Sequence, residues 1–359
     1  MTTIELAESE ATEEGFNSFA LERGWGDGLP LIAPTTERLA AHLRYCPYDP
    51  DRSIGTVPPA NHEATYEAVA ANAIMAGCRP EYLPVIAAAV SALLDPAFNL
   101  YGLQATTNPG GPLVLVGGPV AEEIDCNGGG NAFGQGWRAN ATIGRAIRLI
   151  LNNIGGAKPQ VIDRATQGFP GKYSMCVAEN RSKTPWPEFH VSRGMEPSDS
   201  AVSVFSVQGF HNIIDLTSST ARDVLLTMSA GMSAWGTNDM THGGQPVIVL
   251  APEHANVIAG QGWSKSDASR FIFEHARFDL RVLPRAAQEL MLTRRPQWIN
   301  PASFPVADTP EDIHILVAGG PGIHAMYLPS FGASRIITRR LDLEDGRPAR
   351  SISDFRQEN

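Results

Sequence analysis

The sequence predicts an α/β fold: mixed or parallel sheets with flanking helices, built around an internal strand–turn–helix duplication. Three observations predict it. Short β-branched runs bounded by Gly and Pro recur from residue 105 onward. Helical stretches rich in Ala, Leu and Arg alternate with them. Most specifically, GGPLVLVGGP (110–119) is answered by GGQPVIVLAPEH (243–254), and each is followed by the same tetrapeptide, GQGW, at 134–137 and 260–263. Each GQGW leads into polar caps and a helix, RANATIGRAI in the first copy and SKSDASRFIF in the second. LVAGGPG (316–322) is a partial third echo of LVGGP (115–119). The expected organisation is a helical N-terminal region (1–100), a duplicated α/β region (101–345; copies about 105–155 and 239–280, echo 312–340) and a tail (346–359).

Residues 9–24 predict an acidic amphipathic helix with Phe16, Phe19 and Ala20 on one face. WGDGLPLIAPT (25–35) is a Gly/Pro loop, and Thr36 caps a helix over 37–43. CPYDPDRSIGTVPPAN (46–61) is too rich in Pro and Asp for regular structure. Helices follow at 62–77 and 80–94, with Pro80 in a first turn where its missing N–H is harmless. Strands are expected at 112–117, 199–208, 246–251 and 313–318, and helices at 141–154, 219–234 and 267–277. The unbroken apolar runs suit a sheet covered on both faces. After 340 an edge strand and a frayed end are expected.

Composition narrows the function classes. The chain has 359 residues, 43% apolar and 18% charged, enough for a substantial core. A net charge of -10 gives no help in holding phosphate backbones, so a nucleic-acid partner is not expected. No apolar run is long enough for a membrane span; Tyr82–Leu94 is too short. The first fifteen residues carry five Glu and no Lys or Arg, unlike a signal peptide, and a cytoplasmic location is expected. Cys46, Cys78, Cys126 and Cys176 lie far apart without a CxxC and read as free thiols, with no metal or cofactor expected. Of 28 basic residues only Lys158, Lys172, Lys183 and Lys265 are lysines.

Candidate chemistry falls on several segments. Arg138, Asn140 and Thr142, and Ser264, Lys265, Ser266 and Asp267, sit at expected helix starts, where they either bind an anion or simply cap. Aligning the copies on Pro112 and Pro246 sets Asn108 opposite His242. Thr106, Thr107 and Asn108 could hold a carbonyl or carboxylate and His242 could move a proton; the alternative is a pair of turns before strands. Cys78 precedes a helix start beside Arg79, which would lower its pKa; the alternative is a small buried hydrophobe. Lys172, after the Pro170-Gly171 turn, could act as base or anion clamp, or belong to a hairpin. His324 follows a Gly-rich turn, and His211 lies near Asp215. GxGxxG after an early strand, GxxxxGK[ST], HEXXH and GxSxG are absent, which disfavours the common nicotinamide and ATP enzymes.

WGDGLPLIAPT, MAGCRPEYLPVI, QATTNPGGPLVLVGGP, RANATIGRAIRLIL and QGFPGKYSMCVAEN lie between residues 25 and 180, within a resemblance that covers 25–340. They resemble a bacterial family of uncharacterised proteins associated with small redox proteins that bear a UGSC or CGSC motif. The resemblance implies that Cys78, Arg79, Glu81, Thr106, Thr107, Asn108, Arg138, Asn140, Lys172 and His324 lie inside signature segments. This chain has no CGSC, so a redox partner would be a separate small protein.

The first functional reading is a soluble enzyme acting on a small polar organic acid or amide, of hydrolase or lyase type. His242 or His324 would move the proton, Arg138 or Lys172 would hold the anion, Asn108 would polarise a carbonyl, and Thr106, Thr107, Asn140 and Arg79 would help to hold the substrate. The alternatives are a thiol-dependent oxidoreductase or transferase using Cys78, and a non-catalytic binding subunit. A homo-oligomer is expected.

Overall fold

The computed structural model describes residues 12–357, so what was expected of residues 1–11 lies outside the described residues. Among the described residues twelve strands occur in chain order: β1 (Ser53–Val57), β2 (His62–Thr65), β3 (Gly111–Gly117), β4 (Cys176–Ala178), β5 (Ala201–Val207), β6 (His211–Ile214), β7 (Val247–Leu250), β8 (Arg277–Phe278), β9 (Phe304–Pro305), β10 (His314–Val317), β11 (His324–Leu328) and β12 (Ile337–Arg340). Two four-stranded mixed sheets dominate, ordered β4-β3-β5-β12 and β10-β7-β11-β6.

The two sheets share one pattern. β3 runs parallel to β4 and antiparallel to β5, which is antiparallel to β12. β7 runs parallel to β10 and antiparallel to β11, which is antiparallel to β6. The outer antiparallel strands are exchanged: β6 follows β5 in the chain but closes the other sheet, and β12 follows β11 and closes the first.

Side-chain alternation along the strands explains the layering. Val114, Val116, Val202 and Val204 face the core formed with the helices Tyr66–Ala76, Leu83–Leu93 and Arg138–Asn153. Leu113, Leu115, Phe205 and Val207 point the other way and meet Val247, Val249, Leu316 and Leu328 of the second sheet. Ile248, Leu250, Ile315, Val317 and Tyr327 then face the helices Ala221–Met232, Pro252–Gly260 and Lys265–His275. The result is a four-layer α/β/β/α sandwich. Continuous apolar strands do mark sheets covered on both faces, but one cover is the other sheet rather than a second helix layer. Helices flank each sheet on one side only.

Local differences have local causes. Thr35, not Thr36, caps the second helix, accepting from Arg38 N at 3.3 Å. Part of 46–61 is regular: β1 and β2 form a hairpin turned at residues 58–61, which delays the next helix to Tyr66. Every residue of β5 is buried, its serines included. The tail does not fray where it is described. Ala349 and Phe355 are buried against the first core, and Gln357 N donates to Arg44 O at 2.7 Å. Among the described residues no single helix is long and apolar enough to cross a membrane.

Candidate functional site

The structure gathers part of the expected site at the start of β3 and disperses the rest. Arg148 lies on the inward face of the helix Arg138–Asn153, at helical spacing from Gly144, Ile147 and Leu151. It is only 8% exposed. Its Nε donates to Lys172 O at 2.8 Å. Its two terminal nitrogens donate to no protein acceptor among the described residues, and no carboxylate there pairs with it directly. Burial pushes its pKa down, while Asp163 and Asp27 act on it from further away and raise it.

The surroundings are built from backbone. A Cβ placed on Gly111 would stand 3.3 Å from an Arg148 terminal nitrogen and 3.2 Å from the Met175 methyl, so glycine there leaves room for the guanidinium. Lys172 Nζ pairs with Asp163 at 2.5 Å, both largely buried. Burial lowers the Lys172 pKa and the Asp163 hydrogen bond opposes that. The loop bearing Asp163 is tied to the strand entry, because Thr166 N donates to Thr107 O at 2.9 Å. Thr106 Oγ1 accepts from Asn108 N at 3.1 Å and from its Nδ2 at 2.9 Å, which folds the turn before β3. Gln208, one residue beyond the end of β5, has a buried Nε2 without an acceptor.

Counting charges decides what this site lacks. Arg145 is matched by Asp27 at 2.8 Å and Lys172 by Asp163, which leaves the Arg148 charge over. The Arg148 side chain is mostly buried, and its terminal nitrogens face no carboxylate among the described residues.

The other expected residues go elsewhere. Cys78 is 5% exposed, its Sγ donates to Thr142 O at 3.2 Å, and burial pushes its pKa up to about 12. This corrects the expected thiolate: desolvation outweighs the helix start, and exposed Arg79 faces Glu81 at 3.9 Å instead. Arg138 spends its Nε on Gly77 O at 2.9 Å. Asn140 is a buried staple, accepting from Asn127 N at 2.8 Å and donating to Asn127 O and Cys176 O. His242 contacts Thr241 and Arg294, and burial lowers its pKa. Asn108 and His242 make no contact; the β-bridge of Val207 to Ser330 lies between the two strand entries. His324 Nδ1 lies 3.2 Å from Asn212 Oδ1, where β11 pairs with β6. Ser264 and Asp267 form a capping box, and Lys265 reaches Glu179 at 3.3 Å, joining the two halves. Among the described residues no cluster of His, Cys, Asp or Glu could hold a metal ion.

Sequence reasoning missed Arg148, Asp163, Gln208 and Asp239. Arg148 had a usable signal, a charge inside an apolar helical stripe. Asp239 is fully buried, accepting from Tyr327 Oη at 2.7 Å, from Ser330 N at 3.0 Å and from Ser330 Oγ. Neither protein-family models nor curated proteins provide a match to this chain. The resemblance noted above therefore stands on the quoted segments alone.

Proposed function

We propose that the chain is an enzyme of hydrolase or lyase type acting on a small organic acid, with its carboxylate held at the start of β3. One observation carries this: a buried Arg148 whose guanidinium end has neither a carboxylate nor any other acceptor among the described residues. A planar guanidinium suits a carboxylate because two parallel N–H bonds fit its two oxygens. Lys172 is the proton carrier in this reading. It is half-desolvated, sits beside the Arg148 backbone contact, and has Asp163 to hold it in place. The thiol reading at Cys78 loses its support, since a thiol held near 12 supplies almost no thiolate at neutral pH.

The matching sheet patterns and the paired GQGW segments support an internal duplication with exchanged edge strands. The exposed edge strand β6, with Ile214 and Leu216 at the surface, suits a homo-oligomer contact. Four free cysteines suit a reducing, cytoplasmic compartment.

Calorimetric titration with acetate, propanoate and the matching amides tests the site. The carboxylates bind, the amides bind at least tenfold more weakly, and Arg148→Met binds neither. Lys172→Met retains binding and loses turnover of whichever acid proves to be a substrate. Equal carboxylate binding by wild type and Arg148→Met, or no binding to either, refutes the assignment.

A further inference from the structure

A cavity of about 240 Å³ lies apart from Arg148, where the tail folds back over the N-terminal region. Its floor is one face of the helix Leu83–Leu93. Short side chains leave the room there: Pro84, Ala87, Ala88 and Ser91 follow one another at helical spacing. Further walls come from Tyr45, Tyr48 and Tyr66 and, from the tail, Phe355. The Tyr48 and Tyr66 ring centroids stand 5.0 Å apart. Ala87 and Phe355 are buried, while the three tyrosines, Ala88 and Ser91 are half-buried, so the cavity opens to solvent past the tyrosines. We infer that this cavity is a second ligand site, for a neutral flat aromatic molecule of one or two rings with a polar atom at its edge.

Size, charge and polarity each narrow the occupant. An apolar cavity of about 150 Å³ accepts benzene, so about 240 Å³ has space for a second fused ring. The charged side chains that line the cavity are already matched: Arg339 meets Asp95 at 2.7 Å and Arg340 meets Asp342 at 2.6 Å. An anionic or cationic ligand would have to break one of these pairs to find a counter-charge. A neutral ring gains contact with the tyrosine and phenylalanine rings without that loss. The Tyr48 and Tyr66 hydroxyls have no hydrogen-bond partner among the described residues. Burial raises both pKa values, so both hydroxyls stay protonated at neutral pH and can donate to a ring nitrogen or carbonyl oxygen at the ligand's edge. None of these residues belongs to the Arg148 site, so the cavity's ligand does not depend on what Arg148 holds.

The test titrates the full chain by calorimetry with quinoline, its carboxylate quinaldate and the N-methylquinolinium cation. Wild type is compared with Ala88→Leu, Ser91→Met and the double variant Tyr48→Phe/Tyr66→Phe, with melting curves to confirm that each is folded. Quinoline binds the wild type, and both charged analogues bind at least tenfold more weakly. Ala88→Leu and Ser91→Met put longer side chains on the floor, and each weakens quinoline at least tenfold. Either one carries the test if the other is unfolded. The double tyrosine variant keeps the rings, loses the hydroxyls and weakens quinoline about fivefold. If quinoline does not bind, or binds the floor variants as tightly as wild type, the cavity is not a site and the inference fails. A charged analogue that binds as tightly as quinoline overturns the neutral class, and quinoline binding untouched by loss of both hydroxyls overturns the polar edge.

Discussion

Asp239 offers the sharpest physical test of the fold. Its carboxyl is wholly buried beneath Ser330 and Tyr327, and burial raises its pKa from 3.8 to about 7 against the opposing pull of Ser330, Tyr327 and Arg295. The folded value lies above the unfolded one, so folding favours the protonated acid. The stability this group contributes is complete below about pH 4 and is lost as pH rises through 7. The full span from 3.8 to about 7 corresponds to about 4 kcal/mol. Between pH 5 and pH 8, roughly 2.5 kcal/mol of it disappears. Asp239→Asn keeps the shape and cannot ionise, but turns an N–H₂ group toward donors that the acid accepted. At pH 5 the variant is expected to be about 2 kcal/mol less stable than the wild type. By pH 8 that gap closes. Asp215 and Asp308 have depressed pKa values, so they titrate below this window and cancel in the comparison. Urea unfolding followed by tryptophan fluorescence at pH 5, 6, 7 and 8 reads the gap directly. A gap that stays constant within about 0.5 kcal/mol across that range would show that Asp239 is ionised throughout, and the burial argument would fall.

Other consequences follow from the same contacts. Arg148→Met, in the absence of ligand, changes unfolding stability by less than about 2 kcal/mol, because the lost Nε bond to Lys172 O is offset by removal of a mostly buried charge; a larger loss would mean that the terminal nitrogens also have a structural partner. Iodoacetamide at pH 7 leaves Cys78 unmodified in the native protein and labels it once urea unfolds the chain, as peptide mass spectrometry will show; rapid native labelling contradicts its burial and its high pKa. Asn140→Ala loses the bonds to Asn127 and Cys176 and costs about 3 kcal/mol in urea unfolding, whereas Thr142→Ala on the half-buried side of the same helix costs under about 1 kcal/mol.

Much of the secondary structure was legible because it rests on near neighbours in the chain. The β-branched runs became β3, β7 and β10, and a helix follows each GQGW, the first from Arg138, three residues earlier than expected and without a side-chain cap, the second from Lys265 behind the Ser264 cap. Turn chemistry and a scarce amine singled out Thr106, Thr107, Asn108 and Lys172, which lie near the start of β3. Layering was not. Nothing local says that Leu113 meets Val247 of another sheet while Val114 meets helices, or that β6 and β12 change places. The fate of charges was no more readable. Arg79 beside Cys78 in the chain spends itself on Glu81, while Arg148 reaches Lys172 from the inner face of a helix. Which segments coil, extend and turn can be read along the chain, because those preferences act over a few residues. Which thiol is silenced and which arginine lacks a carboxylate emerges from packing, because desolvation and charge pairing depend on residues distant in the chain.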